Sequence, residues 1–219
     1  MDDLNITEMK AAPCADSQFV CLSRVEFKQC GKQRIWDYVR VHDSAAVLLF
    51  NTTRQAFVLV KQFRPAVYMY VNDKENNKGI NTHHLKSQDE KVPLVASFER
   101  GVTVETCDGI IDQSCSDVEI ARSEALEECG YDVPIKKFER IFSNSNVGYS
   151  GNKEIMFFAE VDDSMIVSEG GGNKEEGEFI QVFYLPLEEA RNYVMDDSIP
   201  KPASLMAAFF WYFWKHDIK

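Results

Sequence analysis

Three glutamates are crowded into five positions of the segment SEALEECGY, residues 123–131. In a helix, Glu124, Glu127 and Glu128 are spaced i, i+3 and i+4, so their carboxylates share one face within one turn. Like charges at this spacing destabilise a helix, and no Lys or Arg lies four residues from Glu124 or Glu128 to relieve the repulsion. The cluster is either a solvated acidic face or a site for a cation.

Carboxylate oxygens at this density suit a hard divalent ion, Mg²⁺ with Mn²⁺ as the alternative. In proteins Mg²⁺ is typically bound by a few carboxylates together with substrate phosphates. We therefore favour a site at which a metal ion offsets the repulsion and attracts an anionic substrate.

The segment around the glutamates carries the signals of a helix with defined ends. Ser116 and Glu119 have the spacing of a capping box, and Gly130 suits the position just beyond a helix. The sequence predicts a helix over 117–129. Its small apolar residues recur three or four positions apart and form one narrow packing face: Val118, Ala121, Ala125 and Cys129.

The rest of the chain alternates apolar runs with polar connections. β-branched and apolar segments predict strands at 19–27, 33–41, 44–50, 56–62, 101–107, 155–161 and 179–185. Pro186 and Pro202 open two further helices. Strands with interspersed helices indicate an α+β domain.

Two other segments have unusual composition. Residues 71–92 are polar and aperiodic, which predicts a long loop; we interpret His83 and His84 within it as solvated. The apolar run 205–214 is too short to span a bilayer and predicts a buried C-terminal helix or a subunit interface.

Composition narrows the functional classes. The chain has 219 residues, which suits one domain with at most a small accessory piece. Its net charge of −11 argues against nucleic acid as a partner. The N-terminus lacks the apolar core of a signal peptide, and the six cysteines form no CxxC pair. We expect a cytoplasmic protein with reduced thiols and no membrane partner.

Gly109 and the 22 residues that follow it, IIDQSCSDVEIARSEALEECGY, resemble the Nudix box. The matching positions are Gly109, Glu124, Glu127, Glu128 and Gly130. Three positions depart from the pattern: Cys115 replaces the first Glu, Ser123 replaces the Arg, and Ala125 replaces a bulky aliphatic residue.

Segments outside the Nudix box indicate which branch of the family the chain resembles. VLVKQFRPAVY (58–68), GVTVE (101–105) and EEGEFIQV (175–182) are similar to the UDP-sugar pyrophosphatase branch, which is related to the ADP-ribose pyrophosphatases. In that branch the first Glu is also replaced and Ala at 125 is normal. Ser123 is the less usual change, because a cation is expected at this position. Neighbouring Arg122 points about 100° away on a helix, so we do not assume that it substitutes.

The resemblance implies a Nudix fold, an α/β/α sandwich with a mixed β-sheet in which the box forms a loop-helix-loop. It divides the chain into an N-terminal β segment, residues 1–40, used in dimerisation, and a hydrolase domain, residues 41–219. The implied activity is Mg²⁺-dependent hydrolysis of a UDP-sugar to UMP and sugar 1-phosphate. The alternatives are an ADP-ribose or ADP-sugar pyrophosphatase, and a catalytically weak scaffold that binds a nucleotide or a protein.

The resemblance also implies roles for the acidic residues. Glu124 and Glu128 are the main metal ligands, Glu127 assists as a ligand and catalytic carboxylate, and the backbone carbonyl of Asp108 is a further ligand. Glu178 is the general base, with Glu175 and Glu176 as alternatives in the same acidic loop.

Substrate contacts are expected from three residues. Arg64 would grip phosphate oxygens in bidentate fashion, although a surface role is the alternative. Trp36 and Arg40 occupy positions similar to base-binding residues of the ADP-ribose relatives, where the aromatic ring often reaches across a homodimer. Core or interface packing is an equally good interpretation of Trp36.

Overall fold

The computed structural model describes residues 20–76, 94–111 and 115–218, together with the single residues 6, 9, 14 and 17. These contain nine strands: β1 (Cys21–Gln29), β2 (Lys32–Arg40), β3 (Ser44–Asn51), β4 (Ala56–Phe63), β5 (Val102–Glu105), β6 (Cys107–Ile110), β7 (Glu139–Ser145), β8 (Lys153–Val161) and β9 (Ile180–Pro186). They also contain four α-helices: α1 (Pro65–Glu75), α2 (Asp117–Glu127), α3 (Leu187–Met195) and α4 (Ala203–Lys215).

Seven of the strands form one mixed sheet. Its path runs β5-β4-β3-β8-β7, while β6 also pairs with β3 and β9 also pairs with β4. The β3–β8 pair is parallel and the other pairs are antiparallel. The strands predicted at 44–50 and 56–62 are confirmed, and they pair as a hairpin of β3 and β4 with Leu49 opposite Val58.

Strand β3 is the centre of this sheet and is apolar on both faces. Ala45, Val47 and Leu49 pack into one hydrophobic cluster with α2. The alternate residues of β3 pack into a second cluster with α3 and α4, and these are Ala46, Leu48 and Phe50. Because successive side chains of a strand point to opposite faces, a continuous apolar run such as AAVLLF marks a strand covered by helices on both sides.

The helices therefore flank the sheet, with α2 on one face and α3 with α4 on the other. This confirms the α+β class and the α/β/α sandwich. The apolar run 205–214 lies in α4, and its large buried side chains line the second cluster: Leu205, Phe209, Tyr212 and Phe213. Within the described residues, no helix combines the length and the apolar character needed to cross a membrane.

Strands β1 and β2 form a separate two-stranded sheet, the N-terminal hairpin (residues 21–40). Its turn is at Cys30 and Gly31, as the sequence predicts. A backbone hydrogen bond of 2.8 Å from the Val39 N–H to the Tyr149 carbonyl joins it to the β7–β8 connection. Large apolar side chains remain exposed on the hairpin, notably Leu22 at 68% and Ile35 at 54%.

The prediction of a loop beginning at residue 71 is wrong, since Val71–Glu75 continue helix α1. The helix lacks an apolar stripe, and one of its buried residues is the polar Asn72. The Asn72 amide oxygen accepts hydrogen bonds from the N–H groups of Val95 and Ala96, at 2.8 and 3.2 Å. A buried polar anchor of this kind has no periodic signal in the sequence. Residues 77–93, including His83 and His84, lie outside the described residues.

The single strand predicted over 101–107 is also wrong. A short 3₁₀ turn ends at Gly101, β5 ends at Glu105, and β6 begins at Cys107. The interruption lets β5 pair with β4 while β6 pairs with β3. Strand β7 was not predicted, because its sequence ERIFSNS has few apolar residues.

Candidate active site

Helix α2 carries the glutamate cluster and has the predicted start. The Glu119 carboxylate accepts a hydrogen bond of 2.9 Å from the Ser116 N–H, which forms the capping box. Ala121, Ala125 and Cys129 are buried, so the predicted packing face is confirmed. The regular helix ends at Glu127, two residues earlier than predicted, with Glu128 as its C-cap.

The residues at the start of the box fit closely against the helix. The carboxylate of Glu128 is buried, and its Oε2 accepts a hydrogen bond of 3.2 Å from the Asp108 N–H. The Glu124 carboxylate lies against Gly109, where an added Cβ would be 2.0 Å from Oε1 of Glu124. Glycine is therefore required at 109 because this side chain occupies the space that any other residue would fill.

A second glycine segment docks at the C-terminal end of the helix. The N–H groups of Gly171 and Gly172 donate to the carbonyls of Glu128 and Glu127, at 2.9 and 3.2 Å. A Cβ on Gly170 would lie 2.4 Å from the Glu128 carbonyl oxygen, so the two backbones are in contact. The run GGG at 170–172 was not singled out from the sequence, because contact between distant backbones leaves no local signal.

This docking brings Glu178 to the acidic cluster. A 3₁₀ turn, Lys174–Glu176, follows the glycines, and Glu178 accepts a hydrogen bond of 3.0 Å from the Asn173 N–H. The negative charge of Glu178 contributes to raising the pKa values of Glu124, Glu127 and Glu128, which places the four carboxylates in one electrostatic cluster.

Burial is the main cause of the raised pKa values in the cluster, and neighbouring negative charges add to it. The pKa of Asp108 rises from 3.8 to about 7, and that of Glu124 from 4.5 to about 7. Glu128 is the most strongly affected, with a pKa of about 10. Carboxylates crowded in this way favour protonation or a bound cation.

The donor set fits a divalent ion in its chemistry. All the clustered side chains are carboxylates, and the missing Cβ at Gly109 leaves room for Glu124 beside the backbone. In the part of the chain that the structure describes, no three His, Cys, Asp or Glu side chains are already arranged to hold a metal ion.

Arg64 lies at the border of this cluster and is already paired. Its Nε and Nη2 donate to the two carboxylate oxygens of Glu105, at 2.9 and 2.6 Å. The same Nη2 is 3.8 Å from Oδ1 of Asp108. Glu105 was not singled out from the sequence, although it ends the segment GVTVE, because the residue that it faces is 41 positions away.

The other predicted site residues are not brought to the cluster. Trp36 is 46% exposed on β2, and Arg40 donates to the Tyr38 hydroxyl at 3.1 Å. Among the described residues, no hydrogen bond, ion pair or ring contact joins Trp36 or Arg40 to Arg64 or to the acidic cluster. Arg122 pairs with Asp132 at 2.6 Å, so it does not take the place of the box arginine.

The raised pKa values predict how the stability of the metal-free protein depends on pH. The folded state keeps protons on Asp108, Glu124 and Glu128 that the unfolded chain releases near pH 4. The free energy of unfolding should therefore fall as the pH rises above about 4.5, by up to about 1.4 kcal/mol per pH unit for each such proton. The contributions of Asp108 and Glu124 to this fall end near pH 7, and that of Glu128 ends near pH 10. Urea unfolding in the presence of a chelator measures this slope.

The double variant Glu124→Gln, Glu128→Gln is the matched control for that slope. It removes two of the three titrating groups while keeping side chains of the same shape, so its stability should vary much less with pH. A wild-type protein whose stability does not change over this range would contradict the clustering of the carboxylates.

Comparison with known proteins gives relatives over most of the chain. A uridine diphosphate glucose pyrophosphatase of Bos taurus is 39% identical over 204 residues, covering 91% of this chain and 90% of that protein. A GDP-mannose pyrophosphatase of Salmonella typhimurium is 33% identical over 160 residues, covering 72% of this chain and 66% of that protein. No protein-family model matches the chain.

The fold has a counterpart among solved structures. The crystal structure of an ADP compounds hydrolase superposes with a TM-score of 0.63 at 15% identity, covering 96% of this chain and 97% of that chain. At this identity the match establishes the fold alone. The box glycine, the glutamate helix and the helices on both faces of the sheet agree with the relatives found by sequence. The chain belongs to the Nudix family of hydrolases.

Proposed function

We propose that this protein hydrolyses the pyrophosphate bond of UDP-sugars such as UDP-glucose, giving UMP and sugar 1-phosphate with Mg²⁺ as the cofactor. The observation that carries the proposal is the convergence of Glu124, Glu127, Glu128 and Glu178 beside an arginine, Arg64. The relative with 39% identity over 204 residues is a UDP-glucose pyrophosphatase, which favours this substrate over GDP-mannose.

Glu124 and Glu128 would hold the metal ion, with Glu127 and the Asp108 carbonyl as further ligands. Glu128 is held by the Asp108 N–H, and Glu124 by its contact with Gly109, so both approach the start of the box. When bound, Mg²⁺ neutralises charge on the phosphates and supports activation of a water molecule.

Glu178 would take the proton from the attacking water. The water oxygen then bonds to phosphorus as the bridging P–O bond breaks, and UMP and sugar 1-phosphate are released. The Glu178 side chain is exposed to solvent, and burial together with the negative charge of Glu178 raises the pKa of neighbouring Glu127. Arg64 would contact the phosphate oxygens from the border of the cluster.

The N-terminal hairpin would supply the remaining substrate contacts in a homodimer. Exposed Trp36 offers an aromatic face for the uracil base, with Arg40 next to it on the same strand. A second copy of the chain would cover the apolar side chains that the hairpin exposes. Cys21, Cys30, Cys107 and Cys129 carry free thiols, which supports a cytoplasmic location.

Product chromatography tests the reaction. The protein is incubated with UDP-glucose, ADP-ribose or GDP-mannose, each with and without Mg²⁺. We expect UMP from UDP-glucose in the presence of Mg²⁺ and none in a chelator. AMP or GMP as the main nucleotide would keep the site and change the substrate. Nucleotide-dependent thermal stabilisation without any product would instead support a binding scaffold.

The variant Glu178→Gln tests the general base. It keeps the hydrogen bond to the Asn173 N–H but cannot accept a proton, so kcat should fall by about 10²- to 10⁴-fold with little change in KM. Glu169→Gln is the control, because Glu169 is an exposed acid in the same loop. Unchanged turnover of Glu178→Gln would assign the proton transfer to another group.

Light scattering tests the dimer. We expect the wild-type protein to have twice the mass of the 25.1 kDa chain. Ile35→Glu places a charge on the exposed apolar face of the hairpin and should give a monomer. Met195→Glu is the control, because Met195 is 63% exposed on α3, outside the hairpin. A wild-type monomer, or an unchanged Ile35→Glu dimer, would remove the hairpin from the interface.

A further inference from the structure

The arginine at the border of the acidic cluster is anchored in both its backbone and its side chain. Arg64 is the N-cap of α1, and its N–H donates to the Gly101 carbonyl at 2.8 Å. Pro65 follows directly and fixes the backbone at the start of the helix. The guanidinium then reaches Glu105, at the end of β5.

Glu105 is a buried carboxylate whose oxygens are fully engaged. Besides the two bonds from Arg64, Oε1 accepts a hydrogen bond of 2.5 Å from the Thr103 hydroxyl, and Oε2 accepts one of 3.3 Å from the Gln62 amide. The side chain of Glu105 is 8% exposed, whereas that of Arg64 is 42% exposed. The fixed partner is thus the acid, and the half-exposed partner is the arginine.

The ion pair with Glu105 occupies one edge of the Arg64 guanidinium and leaves a second edge available for another partner. Nε and Nη2 face Glu105, while Nη1 donates to no acceptor in the described part of the chain. The outer edge is formed by Nη1 and the second N–H of Nη2, and Nη2 is 3.8 Å from Oδ1 of Asp108. A planar guanidinium can bind a carboxylate on one edge and phosphate oxygens on the next.

We propose that Glu105 is a positioning residue that holds the Arg64 guanidinium with its outer edge presented to the substrate phosphates. The proposal rests on the proposed pyrophosphatase function. The phosphate contact expected of Arg64 then uses the outer edge, because the inner one is occupied by Glu105. Fixing the side chain before substrate binds removes the ordering that a free arginine would undergo on binding.

Residues of β5 and β4 support this arrangement. Thr103 and Glu105 are two positions apart on β5, so both side chains lie on the same face of the sheet. Thr103 pairs with Gln62 in register, which brings the third polar group to Glu105. The donors around Glu105 leave the carboxylate little freedom to release the arginine.

A double-mutant cycle with Glu105→Gln and Arg64→Gln tests the role. Glu105→Gln cannot accept both guanidinium bonds, and a misplaced contact of this kind lowers kcat/KM by about 10- to 100-fold. We expect this loss with Arg64 present, mainly through a higher KM. In the Arg64→Gln background the same change should alter kcat/KM by less than about 2-fold, because nothing remains to be positioned.

Two control variants separate positioning from stability. Asp163→Asn breaks another carboxylate–arginine pair, with Arg54 at 2.8 Å, far along the chain from the box. It should lower the melting temperature without changing kcat/KM. Thr103→Val removes the hydroxyl bond to Glu105 while leaving both of its bonds to Arg64, so its effect on kcat/KM should be less than that of Glu105→Gln.

The same cycle is run on the Kd for UDP-glucose by calorimetry, which does not need turnover. Losses that add in the double variant, or a Glu105→Gln protein with wild-type kinetics and affinity, would overturn the positioning role while leaving the proposed function intact. A wild-type protein that neither binds nor hydrolyses UDP-glucose, ADP-ribose or GDP-mannose would overturn both.

Discussion

Electrostatic repulsion among carboxylates, held together where water is partly excluded, is the constraint on which the site depends. Glu124 and Glu128 come from one helix, Asp108 from the preceding strand, and Glu178 from a loop 50 residues later than the helix residue Glu128. Burial raises the pKa of Glu128 to about 10, so the cluster is unfavourable as a set of free anions. A structure that maintains this arrangement must hold each backbone segment firmly.

Glycines provide that support by removing side chains where segments must touch. Gly109 leaves the space that Glu124 occupies, and Gly170 lies against the last carbonyl of the helix cap. The N–H groups of Gly171 and Gly172 complete the helix end by hydrogen bonding to its free carbonyls. The helix that carries the proposed metal ligands and the loop that carries Glu178 therefore form one backbone-bonded unit.

The positive charge of Arg64, at the border of the acidic cluster, is also held in place. Arg64 bonds with Glu105, and Glu105 is satisfied by groups on β5 and β4. The mixed sheet thus supplies the arginine from the end of one strand and its partner from the end of the neighbouring strand. The N-terminal hairpin is separate from this unit, which fits a role that is completed between two chains rather than within one.

The sequence alone determined the features that repeat locally. The capping box predicted the start of α2, the spacing of Ala121 and Ala125 predicted its packing face, and the apolar run of β3 predicted a strand. These succeed because caps, helical periodicity and continuous apolar runs depend on neighbours within a few residues.

The tertiary structure decided the features that depend on distant partners. Helix α1 is held by Asn72 bonding to residues 95 and 96, and Arg64 is held by a carboxylate 41 positions away. The glycine run at 170–172 gained its role by meeting the end of α2. Neither spacing nor composition records such contacts, because each forms between segments that only the folded chain brings together.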